Sequence, residues 1–121
     1  MDIFLEIEDL RKELNQSINE LIKKGIDYAE AYRLYRMELT KEILYQKEQK
    51  TPATLSYDIA RGKEAVANAK YEELRTETLY KAQQEKINSL KIQLKILETQ
   101  YKIEFGGNEW KLEIMLELIK D

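Results

Sequence analysis

The strongest constraint on the fold is a long stretch of sequence that contains neither proline nor glycine. It runs from Lys63 to Phe105, about 43 residues, which as one continuous helix would extend roughly 64 Å. Its later part carries apolar residues that step by three and four positions, the heptad seam of a coiled coil, at Ile87, Leu90, Leu94, Leu97 and Tyr101. The stretch therefore predicts one long helix of coiled-coil character.

A second apolar stripe, formed by Ile92, Ile96 and Ile103, is predicted to lie beside this seam. A two-stranded coiled coil does not need such a stripe, whereas a bundle of three or four helices does. The pattern therefore indicates that more than one helix packs against the long one.

The segment before the long helix predicts two helices of about 22 residues each, joined at Gly25. Apolar residues from Ile3 to Leu21 share one helical face, and Gly25, which follows two lysines, suits the left-handed position beyond a helix end. Asp27 is expected to cap the second helix. So short a connection predicts an antiparallel hairpin.

The sequence thus predicts an all-α fold, in which an antiparallel N-terminal helical hairpin and a short helix pack on one long coiled-coil-like helix. Pro52 is expected at the first position of the short helix, with Thr51 as its cap, and Gly62 is expected to end or bend it. A helical domain of residues 1–105 is predicted to contain helices at about 2–24, 27–50, 52–61 and 63–105. Residues 106–121 are expected to form an amphipathic C-terminal helix.

The composition removes the side chains on which much enzyme chemistry depends. The chain has no histidine and no cysteine, so it lacks the usual proton-transfer group near neutral pH and the thiolate nucleophile. We therefore expect a protein that is not an enzyme and has no cofactor or metal. The acidic N-terminus does not resemble a signal peptide, and no apolar run approaches the roughly 20 residues that cross a bilayer. These features predict a cytoplasmic protein without a membrane partner.

A cluster of carboxylates on the long helix is the nearest approach to a chemical site. Glu72, Glu73 and Glu77 lie close in sequence, and paired carboxylates perform acid–base chemistry or bind a divalent ion. Lys70 and Arg75 lie beside them, so we expect a solvated face with ion pairs.

Basic residues next to tyrosines offer candidate contacts to single-stranded nucleic acid, because aromatic rings stack on bases and cations pair with phosphates. The candidate basic residues are Arg33, Arg36, Lys91, Lys95 and Lys102, and the interleaved tyrosines are Tyr28, Tyr32 and Tyr35. Tyrosines at helical spacing are more often core residues, and a lysine row is more often a solvated face. The 20 basic and 23 acidic residues nearly cancel, which argues against strong unspecific DNA binding.

Excess apolar surface on the long helix predicts self-association. The predicted hairpin would span about 33 Å and cover around half of the long helix. Large uncovered apolar stripes are unusual on a monomer, so we expect a homodimer. Its interface is expected to centre on the seam, with a second patch on the tail: Ile87, Leu90, Leu94, Leu97, Tyr101, Trp110, Leu112 and Met115.

Several segments of the chain carry a family resemblance: GIDYAEA at residues 25–31, PATL at 52–55 with IARG at 59–62, and INSLK at 87–91. Together they resemble a group of small uncharacterised helical proteins of phages and prophages of Gram-positive bacteria. Such proteins are often encoded in early gene clusters, near single-strand-binding and strand-annealing proteins. The resemblance covers about residues 5–104, and its motifs are structural, so it carries no active site.

The resemblance implies a non-enzymatic phage early protein in the cytoplasm of the host bacterium. It would bind a phage or host protein through helical surfaces, within DNA replication or recombination. One alternative is an inhibitor that sterically blocks a host defence or host replication factor. Another is a weak single-strand DNA-binding accessory protein that uses the basic residues named above.

Overall fold

Three α-helices form the part of the chain described by the computed structural model, which is residues 2–105 and 117–118. Helix α1 covers Ile3–Glu48, α2 covers Ala53–Gly62 and α3 covers Glu64–Phe105. The expected all-α class is confirmed, and α2 and α3 begin within one residue of their predicted starts. The predicted C-terminal helix of residues 106–121 lies almost entirely outside the described residues.

The predicted N-terminal hairpin is wrong, because α1 is one helix of 46 residues that continues through Gly25. A glycine inside a helix costs only about 1 kcal/mol relative to alanine, too little to break a helix that tertiary packing supports. Here the glycine also serves that packing. A Cβ at position 25 would lie 3.2 Å from Cε2 of Tyr80, so the absent side chain makes room for the tyrosine ring.

A tight connection ends α1 and starts α2. The backbone N–H of Thr51 donates to the carbonyl oxygen of Gln46 over 3.0 Å, and Lys50 adopts a positive φ of 59°. The predicted cap differs by one position: Pro52 is the N-cap of α2, without a side-chain capping bond, and its carbonyl accepts from Ser56 N–H at 2.9 Å. Gly62 ends α2 as predicted, and the extended Lys63 leads into α3.

The chain divides into two compact units. Unit 2, residues 20–83, contains the later part of α1, all of α2 and the early part of α3. Its buried core consists of Leu39, Ala60 and Val66, one residue from each helix. Val66 is 1% exposed and Ala60 is fully buried. The small Ala60 side chain allows α2 to pack closely on the other two helices.

Unit 1 pairs the first part of α1, up to Asn19, with the part of the chain that starts at Gln84. Ile7, Ile87 and Leu90 are its buried apolar side chains among the described residues. Arg11 contacts Glu98, whereas the earlier Phe4 contacts the later Tyr101. These contacts show that the two helical segments run antiparallel within the unit.

Candidate interaction surfaces

The predicted interface seam of α3 is largely covered by the chain itself. Ile87 and Leu90 are only 5% and 6% exposed, and Leu94 and Leu97 are half-buried. The expectation that this seam lacks a cover within the chain was therefore wrong. The reason is the continuity of α1, whose first part packs on the late part of α3 in unit 1.

The far end of the seam is more open and is aromatic. Tyr101 is 36% exposed, and its ring centroid lies 5.0 Å from that of Phe105 and 6.4 Å from that of Phe4. With Ile7 and the exposed Arg11–Glu98 ion pair, these rings line a cavity of about 310 Å³. Three predicted interface residues, Trp110, Leu112 and Met115, lie outside the described residues.

The second stripe of α3 is the surface that the structure leaves open. Ile92, Ile96 and Ile103 are 62%, 60% and 50% exposed. Helical geometry places them on the side of α3 opposite the covered seam, not beside it as the sequence suggested. In unit 1, α3 is therefore apolar on two opposite faces, and only one of them is packed against α1.

Unit 2 also exposes aliphatic side chains. On α1, Ile22 and Ile26 are 57% and 63% exposed and lie one helical turn apart. On α3, Leu74 is 50% exposed, and on α2 Leu55 is 52% exposed. Sequence reasoning assigned Ile22 and Ile26 to no surface, although their spacing of four positions places them on one helix face.

The candidate nucleic-acid contacts lie in both units. In unit 2, the guanidinium of Arg33 donates through Nε and through Nη2 to the carboxylate of Glu30. The positive charge of Arg33 is therefore already paired. Arg36 is exposed on the next turn. In unit 1, Lys102 Nζ lies 3.3 Å from a carboxylate oxygen of Glu117, whereas Lys91 and Lys95 are exposed residues of α3.

The carboxylate cluster on α3 splits into an exposed part and a buried part. Glu72 forms an exposed ion pair with Arg75 at 2.9 Å, as expected. Glu73 contradicts the expectation of a solvated face, because its side chain is 7% exposed and accepts from Lys70 Nζ at 2.9 Å. The Lys70 ammonium also lies 4.7 Å from the ring centroid of Tyr35 on α1.

Hydrogen bonds also join α1 and α3 around Tyr28 in unit 2. Its hydroxyl donates to Glu77 at 2.7 Å, and Glu77 also accepts from Lys81 at 3.0 Å. The hydrogen bond from Tyr28, followed in size of effect by the one from Lys81, lowers the pKa of Glu77. The bond between Tyr28 and Glu77 also raises the pKa of Tyr28. One turn away, Lys24 donates to the side-chain oxygen of Gln83 at 2.9 Å.

These contacts place polar groups where a helix pair usually buries apolar ones. Every buried side-chain nitrogen or oxygen atom in the described part of the chain has a hydrogen-bond partner. Satisfied polar positions of this kind restrict which helix alignments are stable, because a shifted alignment leaves buried groups unpaired. The buried polar contacts of unit 2 therefore favour one alignment of its helices over shifted ones.

Within residues 2–105 and 117–118, no cluster of three or more acidic side chains is arranged to hold a metal ion. In the same residues, no helix is long and apolar enough to cross a membrane. No protein-family model, curated protein sequence or solved structure shows significant similarity to this chain.

Proposed function

We propose that this chain is a non-enzymatic binding protein that acts through its helical surfaces, first on a second copy of itself and then on a protein partner. The resemblance to phage early proteins suggests DNA replication or recombination as the setting. The proposal rests on one observation: in the described residues, seven hydrophobic side chains are buried whereas 22 large ones are exposed.

Exposure on this scale favours binding, because single exposed apolar residues are ordinary but repeated ones on a helix face mark interaction sites. Complete burial of an isoleucine side chain contributes about 1.5–3 kcal/mol. Ile22 and Ile26 are already partly covered, so their complete burial by a partner would contribute roughly half of that each. The exposed faces thus provide the apolar anchors that a helical partner requires.

The surface assigned to the protein partner is the Ile22–Ile26 face of α1 in unit 2. These two side chains lie one turn apart, which matches the spacing of anchors in helix-to-helix recognition. Ala29 is exposed on the following turn and adds little bulk, so a partner helix has close access to this part of α1. The polar Lys23 and Asp27 flank the face and supply a rim.

Affinity purification from phage-infected cells tests the proposal. The tagged chain is expected to recover a phage or host protein of DNA replication or recombination, identified by mass spectrometry. The double change Ile22→Asp and Ile26→Asp is expected to abolish recovery, because it places charges in the apolar anchor positions.

A matched control is Lys12→Asp, which makes the same change of net charge as the double variant at an exposed position of the same helix outside the Ile22–Ile26 face. It is expected to retain the partner. If infected cells yield no such protein, or if the double variant recovers it as well as the unaltered chain does, the proposed function is wrong. Circular dichroism of each variant establishes that the helices remain intact.

A further inference from the structure

We infer that Arg36 on α1 and Arg61 on α2 together bind a phosphate group of single-stranded nucleic acid, beside the ring of Tyr57. This binding goes beyond the proposed function, which concerns protein partners. The sequence indicated Arg36 as a possible nucleic-acid contact, whereas Arg61 and Tyr57 were assigned to no site.

Arg36 and Arg61 differ from the other three arginines of the chain, because neither has an acidic partner. Both side chains are exposed, and in the described residues neither forms an ion pair with a carboxylate. The other three arginines all pair with glutamates: Arg11 with Glu8 and Glu98, Arg33 with Glu30, and Arg75 with Glu72. The guanidinium groups of Arg36 and Arg61 are therefore free to bind an anion.

The core of unit 2 brings these two arginines to one place. Arg61 directly follows Ala60, the fully buried α2 residue of that core. Arg36 directly follows Tyr35, whose side chain packs against the same core. The two guanidinium groups thus flank the junction at which α1 and α2 meet, although they are 25 positions apart in sequence.

Tyr57 lies at this junction and experiences its positive charge. The guanidinium carbon of Arg61 lies 4.1 Å from the ring centroid of Tyr57, which is 40% exposed. The pKa of the Tyr57 hydroxyl is lowered, first by its contact with Arg61 and then by the charges of Arg36 and Lys70. Cations from all three helices therefore favour a negative group beside Tyr57.

Acidic side chains close to the junction offset its charge only in part. Glu73 accepts from Lys70 at 2.9 Å, so these two charges compensate each other. Asp58 raises the pKa of Arg61 less than Tyr57 does, and no ion pair joins Asp58 to Arg61. Two neighbouring arginines without a counter-ion repel each other. A bound phosphate would remove that repulsion and accept hydrogen bonds from both guanidinium groups.

The surroundings of Arg36 favour single-stranded nucleic acid as the source of the phosphate. Arg36 lines an open groove of about 620 Å³ on α1, together with Tyr32 and Met37. The Tyr32 side chain is 48% exposed, so a base next to the bound phosphate can stack on its ring. The bases of a duplex are already stacked on one another, and a phosphoserine peptide offers no base. The groove therefore suits a single strand best.

Fluorescence anisotropy of a labelled oligothymidylate of about 15 nucleotides, titrated with the full chain, tests the inference. The unaltered chain is expected to bind with a micromolar dissociation constant at low salt, and the affinity is expected to fall as salt is added. Arg36→Gln and Arg61→Gln are each expected to raise the dissociation constant about tenfold, because each removes charge-assisted hydrogen bonds to phosphate. Each is also expected to make the salt dependence shallower.

Arg75→Gln is the matched control, because it makes the same change of charge at an exposed arginine of unit 2 that already pairs with Glu72. Its dissociation constant is expected to change less than about twofold. Equal weakening by Arg75→Gln and by the two test variants would overturn the inference, since net charge alone would then explain binding. Circular dichroism of each variant establishes that the helices remain intact.

Unlabelled competitors identify the source of the phosphate. Oligothymidylate is expected to displace the labelled strand, whereas inorganic phosphate, a duplex of the same length and a phosphoserine peptide are each expected to require at least about ten times more phosphate. Displacement by the duplex or by the peptide at the same phosphate concentration would overturn single-stranded nucleic acid as the ligand. No change in anisotropy at about 20 mM salt, with the chain at up to about 100 μM, would overturn the site itself.

Discussion

Removal of the positive charge beside Glu73 is predicted to destabilise unit 2 far more than removal of Glu73 itself. The Glu73 side chain is 7% exposed, and Lys70, 44% exposed, is its ion-pair partner at 2.9 Å. In Lys70→Met the carboxylate remains buried without its cation. In Glu73→Leu the lysine can extend into solvent, and an apolar side chain fills the buried position.

The magnitudes follow from this asymmetry. Breaking a fully buried pair costs about 3–5 kcal/mol, and since Lys70 is nearly half exposed we expect Lys70→Met to cost about 2 kcal/mol. That value includes the loss of the ammonium contact with the Tyr35 ring. Glu73→Leu is expected to change the free energy of unfolding by less than about 1 kcal/mol in either direction.

Urea denaturation followed by far-ultraviolet circular dichroism measures both changes. The chains are compared at one protein concentration, because association alters apparent stability. An unchanged slope of the free energy of unfolding against urea concentration indicates that the surface exposed on unfolding is the same in each variant. Equal destabilisation by Lys70→Met and Glu73→Leu would refute the reasoning, because it would mean that burial of an unpaired carboxylate costs nothing extra.

Two further changes test the packing of α1 on α3. Gly25→Leu is expected to lower the free energy of unfolding by about 1–3 kcal/mol, because the leucine side chain would overlap the Tyr80 ring. Gly62 has open space around it, so Gly62→Leu is expected to cause no such loss in the same urea titration. Tyr28→Phe is expected to lower stability at neutral pH by removing the bond to Glu77. The pKa of Glu77 is lower in the folded chain than in the unfolded chain. The stabilisation is therefore complete above the pKa that Glu77 has in the unfolded chain, and it disappears as the pH falls through the pKa of Glu77 in the folded chain. A stability difference between Tyr28→Phe and the unaltered chain that persists in acid contradicts this assignment.

Sequence reasoning located most helix ends, since these depend on local chemistry. Glu64–Phe105 contains no residue that breaks a helix, and Pro52 and Gly62 bracket α2. The same reasoning failed at Gly25, where the local preference for a helix end is worth only about 1 kcal/mol. Tyr80, far away in sequence, supplies the contact that makes glycine suitable inside the helix.

The candidate surfaces were predictable in part. The sequence showed that the late part of α3 carries two apolar stripes, because side-chain type and spacing suffice for that. It could not show which stripe α1 covers, since both consist of aliphatic residues at helical spacing. The buried Glu73 was missed for a similar reason: an acidic residue on a charged helix face gives no signal of burial.

By itself, then, the sequence determined the helical class, the extent of α3 and its two apolar faces, because propensity and periodicity are properties of neighbouring residues. The tertiary structure alone decided that α1 continues through Gly25 and that its first part packs on Ile87 and Leu90. Those outcomes depend on contacts between residues distant in the chain. The same contacts leave Ile92, Ile96 and Ile103 as the open face of α3.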